Sequence, residues 1–204
     1  CELCCCLMFS YLDTGLINTL SPQLPVFFLS SFSLTAAGYF GLATRVVGVP
    51  MSLVGNSIAQ VFFTEASDHV NQRGNCYHIF RGTVKRLFWM SLILSPLIVV
   101  LSFFMGPIFG TQWSNAGVML IILLPLFFVR FISSPVSSIY YISNSQDLDL
   151  FITLIFALIP VIAFLLSAYL SWTYIIALTI YSFLMGLTYG LQLVMGYVLS
   201  RKLK

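Results

Sequence analysis

The chain has 204 residues, 59% of them hydrophobic and only 7% charged, with a mean hydropathy of +1.00. A soluble domain carries roughly a quarter charged residues, so this composition excludes a water-soluble enzyme and a disordered tail alike. The formal charge of +3 is too small and too scattered to suggest nucleic acid as a partner.

The first residue is Cys1 rather than methionine, and the chain is expected to be a fragment lacking its N-terminal portion. Residues 1–10 read as a non-native-looking stretch, and residues 11–204 as one transmembrane bundle. Cys1, Cys4, Cys5 and Cys6 crowd the start, but no histidine or second cysteine pair stands at ligand spacing, so no metal site is expected. A bilayer-crossing helix needs about twenty mainly apolar residues. Six stretches qualify: 12–33, 39–63, 87–105, 118–142, 150–170 and 174–199. The fold class is thus expected to be an all-α integral membrane bundle of six transmembrane helices.

Aqueous punctuation separates these stretches. Residues 33–38 form a short turn, and 64–86 a long polar loop that holds His69 and His78. Residues 106–117 form a glycine-rich aromatic turn, 143–149 a short acidic one, and 171–172 a tight hairpin. Pro22, Pro25, Pro50, Pro96, Pro125, Pro135 and Pro160 fall inside the expected spans. Interior proline removes a helical hydrogen bond, so kinked spans are expected.

Numbering the loops alternately puts Arg73, Arg81, Lys85, Arg86, Arg201, Lys202 and Lys204 on one side, and no lysine or arginine on the other. By the positive-inside rule the first side is cytoplasmic, which places both ends of the chain in the cytoplasm. Trp113, Trp172 and Tyr174 fall at the opposite face, where interfacial aromatic anchors belong.

Two cations, Arg45 and Arg130, lie well inside apolar runs, where an isolated arginine costs a few kcal/mol on insertion scales and usually faces a cavity or partner. Arg45, Ser52, Asn56 and Gln60 share one helical face, with Val46, Val49, Leu53, Ile58 and Val61 opposite. Arg130, Ser134, Ser137 and Tyr141 form a second stripe, with Ile121, Leu124, Phe128 and Ile132 expected toward lipid. At 1.5 Å per residue Arg45 is expected about 9 Å, and Arg130 about 18 Å, from the non-cytoplasmic ends of their spans. Two staggered cations on inward faces suit a water-filled chamber for an anion, because a guanidinium binds phosphate oxygens in pairs and stays protonated. The alternative is that Arg45 snorkels to the headgroups and Arg130 bonds backbone carbonyls exposed by Pro125 or Pro135.

The other ionisable residues point to no chemistry. Asp13 suits a helix N-terminus, Glu65 and Asp68 balance Arg73 or solvate a loop, and no coupling carboxylate is expected in mid-membrane. There is no glycine-rich phosphate loop, HExxH or GxSxG, so neither an enzyme nor a cofactor is expected.

Residues 37–67, AGYFGLATRVVGVPMSLVGNSIAQVFFTEAS, resemble the signature of the polysaccharide-biosynthesis flippases. These are the O-antigen and capsule-unit translocases of the multidrug/oligosaccharidyl-lipid/polysaccharide exporter superfamily. The matching positions are Gly38, Tyr39, Ala43, Arg45, Pro50, Gly55, Gln60, Val61, Phe62 and Glu65. Residues 21–29 (SPQLPVFFL) resemble the family's preceding span, and 109–117 (FGTQWSNAG) its G-x-x-W-x-x-A-G turn; the likeness runs over about residues 11 to 200 and departs at 1–10. Family members are about twice this length, so the resemblance implies the C-terminal half of a two-bundle exporter of the bacterial inner membrane, with an N-terminal half-bundle as partner. It also implies a cargo, an undecaprenyl-pyrophosphate-linked oligosaccharide moved from the cytoplasmic to the periplasmic leaflet. Arg45 and Arg130 would contact the anion, with Asn56, Gln60, Ser134 and Ser137 bonding sugar or water. Three readings compete: a peptidoglycan-precursor flippase or cation-coupled drug exporter of the same superfamily, a membrane glycosyltransferase, and a non-functional gene remnant.

Overall fold

The computed structural model describes residues 23–73, 76–143 and 145–202. The cysteine cluster at Cys1 to Cys6, Asp13, Pro22 and most of the first expected span lie outside the described residues. Seven helices follow in order: α1 (Leu24–Phe32), α2 (Leu34–Arg73), α3 (Tyr77–Phe109), α4 (Ser114–Val136), α5 (Ile139–Ile142), α6 (Gln146–Tyr169) and α7 (Tyr174–Lys202), with a 3-10 turn at Thr111–Trp113 before α4. No strand occurs among the described residues. Among the described residues, five helical segments are long and apolar enough to cross a membrane: Leu34–Val70, Tyr77–Phe109, Thr111–Ile142, Asp147–Tyr169 and Tyr174–Arg201. The chain therefore has the architecture of an all-α, multi-pass membrane protein, in which helices satisfy every backbone donor and acceptor internally.

The loop expected at 64–86 is instead helical from both sides, since α2 continues to Arg73 and α3 begins at Tyr77. The 40 residues of α2 extend about 60 Å at 1.5 Å per residue. A bilayer with its headgroups is only about 40–45 Å thick, so one end of α2 must stand in water. Its polarity concealed an amphipathic pattern. Phe62, Ala66 and Val70 recur on one face, as do Phe80, Val84 and Leu87 on α3, while Glu65 and Asp68 face out. Phe62, Ala66, Phe80 and Leu87 are buried, and the Phe62 and Phe80 rings meet edge-on at 6.1 Å. The prolines sit in continuous helix: Pro50 in α2, Pro96 in α3, Pro125 and Pro135 in α4, Pro160 in α6. Pro107 and Gly117, expected in a turn, also lie within α3 and α4.

Helix α4 is the hub, and more than half of its most apolar stretch (56%) is buried. It packs on α2, α3 and α7; α7 packs on α6, α6 on α1, and α1 on α2. Five helices thus close a ring in the order α1, α2, α4, α7, α6, with α3 braced against the outside of α4. Lipid is as apolar as leucine, so close backbone approach and hydrogen bonds hold such helices together. The α3–α4 seam shows both. A Cβ on Gly117 would collide with the carbonyl of Ser102, and one on Gly106 would meet the Ser114 hydroxyl at 2.7 Å. The Ser91 hydroxyl donates to the carbonyl oxygen of Phe128 at 3.2 Å. Across the α4–α7 seam, Ser182 donates to the carbonyl of Ile122 at 2.8 Å.

The outer faces carry the exposed apolar side chains, among them Ile93, Leu97 and Phe103 on α3 and Leu158 and Ile162 on α6. Contiguous apolar surface of this kind belongs in lipid rather than water. The lipid face expected for α4 needs correction: Ile121 is exposed, but Ile132 is buried and Leu124 and Phe128 pack on the core. Because α4 is the hub, its outward side meets α3 rather than lipid. On α2, Leu53 and Val61 are exposed, whereas Val46 and Ile58 pack inward.

Candidate functional site

The ring of helices surrounds a cavity of about 610 Å³. Each wall is a stripe read off at helical spacing. Helix α2 contributes Gly41, Arg45, Gly48 and Ser52, and α4 contributes Leu123, Phe127, Arg130, Ser134 and Ser137, continued by Tyr141 on α5. From α6 come Asp149, Thr153 and Phe156, and from α7 Tyr181, Met185, Tyr189 and Gln192. A smaller cavity of about 200 Å³ lies between α2 and α4, where Ser52, Asn56, Arg130 and Ser134 meet.

The structure thus brings Arg45, Arg130, Ser134 and Ser137 to one space, with Arg130 and Ser134 also reaching the smaller cavity beside Asn56. Gln60, a turn further along α2, lines neither. Val49, assigned to the face opposite Arg45, lines the larger cavity. The arginines sit deeper than their spans suggested, because α2 and α4 begin earlier, at Leu34 and Ser114. Arg45 stands about 16 Å along α2 and Arg130 about 24 Å along α4. Both are exposed, although they line an inward space. A guanidinium with access to such a space keeps its hydration, which removes most of the cost of placing it within the bilayer.

Aromatic rings from four helices meet in a chain at one end of the ring. Phe28 of α1 stacks on Phe164 of α6 at 6.1 Å, Phe164 meets Tyr181 of α7 at 5.9 Å, and Tyr181 meets Phe40 of α2 at 6.4 Å. Phe40, Phe164 and Tyr181 are all buried. This is the end at which Trp113 lies against Tyr39 at 5.7 Å. Toward the other end, where α3 starts and α7 finishes, the lining becomes polar, with Ser137, Tyr141 and Asp149.

The sequence places Asp149 in a short acidic turn, and the structure places it elsewhere. It lies in the first turn of α6, is only 8% exposed, and shares the cavity with both arginines. The Tyr141 hydroxyl hydrogen-bonds to it. A signal was available, since Asp149, Thr153 and Phe156 fall on one helical face while Asp147 falls on another and is exposed. The sequence reading does not single out Gln192, although it is the sole amide side chain between residues 150 and 200. It is buried and doubly tied, with its side-chain oxygen accepting from Ser133 at 3.0 Å and its carbonyl from Tyr140 at 2.7 Å.

No family model, curated protein or solved structure matches the chain. The chemistry of the site therefore stands on its own geometry: two cations, one buried carboxylate and a set of hydroxyl and amide groups around a space large enough for a phosphate-bearing headgroup.

Proposed function

We propose that this chain is the C-terminal half of a polysaccharide-biosynthesis flippase. In this reading it is a bundle of six spans with proline-kinked helices, the first span including α1. Together with an N-terminal half-bundle it carries an undecaprenyl-pyrophosphate-linked oligosaccharide, an O-antigen or capsule repeat unit, between leaflets of the bacterial inner membrane. One observation carries the proposal: Arg45 and Arg130, the two cations inside apolar stretches, line a common cavity with Ser134 and Ser137.

The chemistry follows from the residue types. A pyrophosphate offers several anionic oxygens, and a guanidinium grips two at once with charge-assisted bonds. Ser134, Ser137, Asn56 and the Tyr189 hydroxyl supply neutral partners for sugar or water, while the lipid tail stays in the bilayer. Charge asymmetry makes the Tyr77 end cytoplasmic. The aromatic end then lies on the periplasmic side, and the polar end on the side from which the cargo arrives. Rocking of the two bundles would open the aromatic end and release the cargo outward.

Asp149 favours a second reading, a cation-coupled exporter of the same superfamily, because a buried carboxylate that lines the cavity is the kind of group a cation would bind. The two readings separate in cells that lack their own translocase and express this chain joined to its N-terminal half. The flippase reading predicts that Arg130→Ala lowers surface polysaccharide at unchanged protein abundance, and that Arg130→Lys recovers part of it, since lysine lacks the two-pronged fork. Normal surface polysaccharide in the alanine variant contradicts it. Loss of cationic-drug export in Asp149→Asn, with surface polysaccharide untouched, supports the second reading instead.

A further inference from the structure

At the end of the molecule away from the Phe28–Phe164–Tyr181–Phe40 contacts, two helices distant in sequence are pinned by a small aromatic–cation cluster. Tyr77 opens α3 and Tyr197 lies near the end of α7. Their rings meet edge-on at 5.5 Å, and their hydroxyls are hydrogen-bonded at 3.2 Å. The Arg201 guanidinium lies over both rings, 5.7 Å from the Tyr77 centroid and 5.9 Å from that of Tyr197. Arg81, one turn along α3, reaches the Tyr77 hydroxyl. Arg81 and Arg201 are exposed. Arg201 is thus held on two aromatic faces and Arg81 by the Tyr77 hydroxyl, so both guanidiniums are placed at one cluster at little rotamer cost to a ligand that uses them.

The position relative to the bilayer narrows the ligand. Tyr77 begins one candidate span and Arg201 ends another, so the cluster stands at the end of the spanning helices, where headgroups are within reach. Leading away from Arg201 on the same helical face are Val198, Val194, Leu191 and Leu187, all exposed. An apolar track that ends at a pair of fixed cations fits a molecule with a phosphodiester head and acyl chains. A free phosphate would use the cations and leave the track idle.

We propose that Arg81, Arg201, Tyr77 and Tyr197 form a binding site for the headgroup of an anionic phospholipid, with one acyl chain along the exposed face of α7. Basic pockets between transmembrane helices bind such headgroups by the same physics. The site is separate from the cavity, and the proposal does not depend on what the cavity carries.

The test uses the purified chain in lipid nanodiscs of either pure phosphatidylcholine or phosphatidylcholine mixed with phosphatidylglycerol, followed by native mass spectrometry of retained lipid. Preferential retention of phosphatidylglycerol is expected, falling roughly fivefold for each cation removed in Arg81→Ala and Arg201→Ala. Arg201→Lys keeps the charge without the flat stacking surface and should fall between Arg201→Ala and the parent. Lys85→Ala, an exposed cation outside the cluster, should retain the lipid as the parent does. Equal retention of the two lipids by the parent chain would overturn the proposal, as would undiminished preference in the Arg81→Ala/Arg201→Ala double variant. Displacement of the lipid by millimolar inorganic phosphate would also overturn it, by showing an ion site. If Arg201 merely caps α7, its alanine variant would lower thermal stability equally in both lipids and leave the preference intact. That result, too, would overturn it.

Discussion

The Ser133 hydroxyl on α4 donates to the side-chain oxygen of Gln192 on α7 at 3.0 Å, and both residues are buried. Gln192 also lines the large cavity, so a bond that joins two walls of the ring also fixes one of the groups facing the space. Interhelical hydrogen bonds within membranes are worth about 0.6 kcal/mol on average and at most about 1.7. Ser133→Ala should therefore lower stability by an amount in that range, read from reversible unfolding in mixed detergent micelles. A loss much above it would mean that the hydroxyl does more than link the two helices.

The α3–α4 seam makes a sharper forecast. A side chain at Gly117 runs into the backbone of Ser102, which cannot rotate away as a side-chain tip can. Overpacking of this kind costs about 1–3 kcal/mol, so Gly117→Ala should lower the melting temperature clearly. Gly186→Ala and Gly190→Ala on α7 meet nothing within 4 Å and should be neutral or slightly stabilising, since alanine is the better helix former. A melting curve for each of the three variants decides the matter, and equal behaviour would mean that the seam is looser than described.

The same seam shows how far the sequence could be read. Five of the six expected spans coincide with long apolar helices because twenty apolar residues in a row admit little else, and the stripe of Arg130, Ser134, Ser137 and Tyr141 was legible because helical spacing fixes a face. Neighbours were not legible. Ile132 looks lipid-facing until α4 is known to be the hub, and only tertiary packing determines that. Polarity misled at 64–86, where charged residues on one side of an amphipathic hairpin hid Phe62, Ala66 and Phe80 on the other. Asp149 was hidden for a related reason: a carboxylate near a span boundary looks like loop until the helix register turns it inward.

Asp149 bears directly on the cavity. A carboxylate that ionises in a space shared with a bound pyrophosphate repels it, so Asp149→Asn should strengthen pyrophosphate binding several-fold at a pH where the parent is ionised, while keeping a side chain that Tyr141 can still bond. Calorimetric titration of the variant against the parent checks this. Weaker binding in Asp149→Asn would show that the carboxylate supports the site rather than opposing the anion.

Cys76 precedes α3 and is 1% exposed. Burial pushes its thiol above the ordinary value, and a backbone hydrogen bond offsets this only in part. With Cys1, Cys4, Cys5 and Cys6 replaced by serine, maleimide labelling of the folded chain should be slow at neutral pH. It should rise only as pH passes above the usual thiol range of about 8.5, and become fast once the chain is unfolded. Rapid labelling of the folded chain at neutral pH would show that the junction between α2 and α3 opens readily.

The claim that matters most is that Arg45 and Arg130 act on one anion. The direct measurement is calorimetric titration of a polyprenyl pyrophosphate into the purified chain, its Arg45→Gln and Arg130→Gln variants, and the double variant. A hydrogen bond to a charged group is worth about 1.5–3 kcal/mol, so each single change should weaken binding roughly tenfold or more, and the double variant should bind too weakly to measure. Binding by the double variant as tight as by the parent chain would contradict the account.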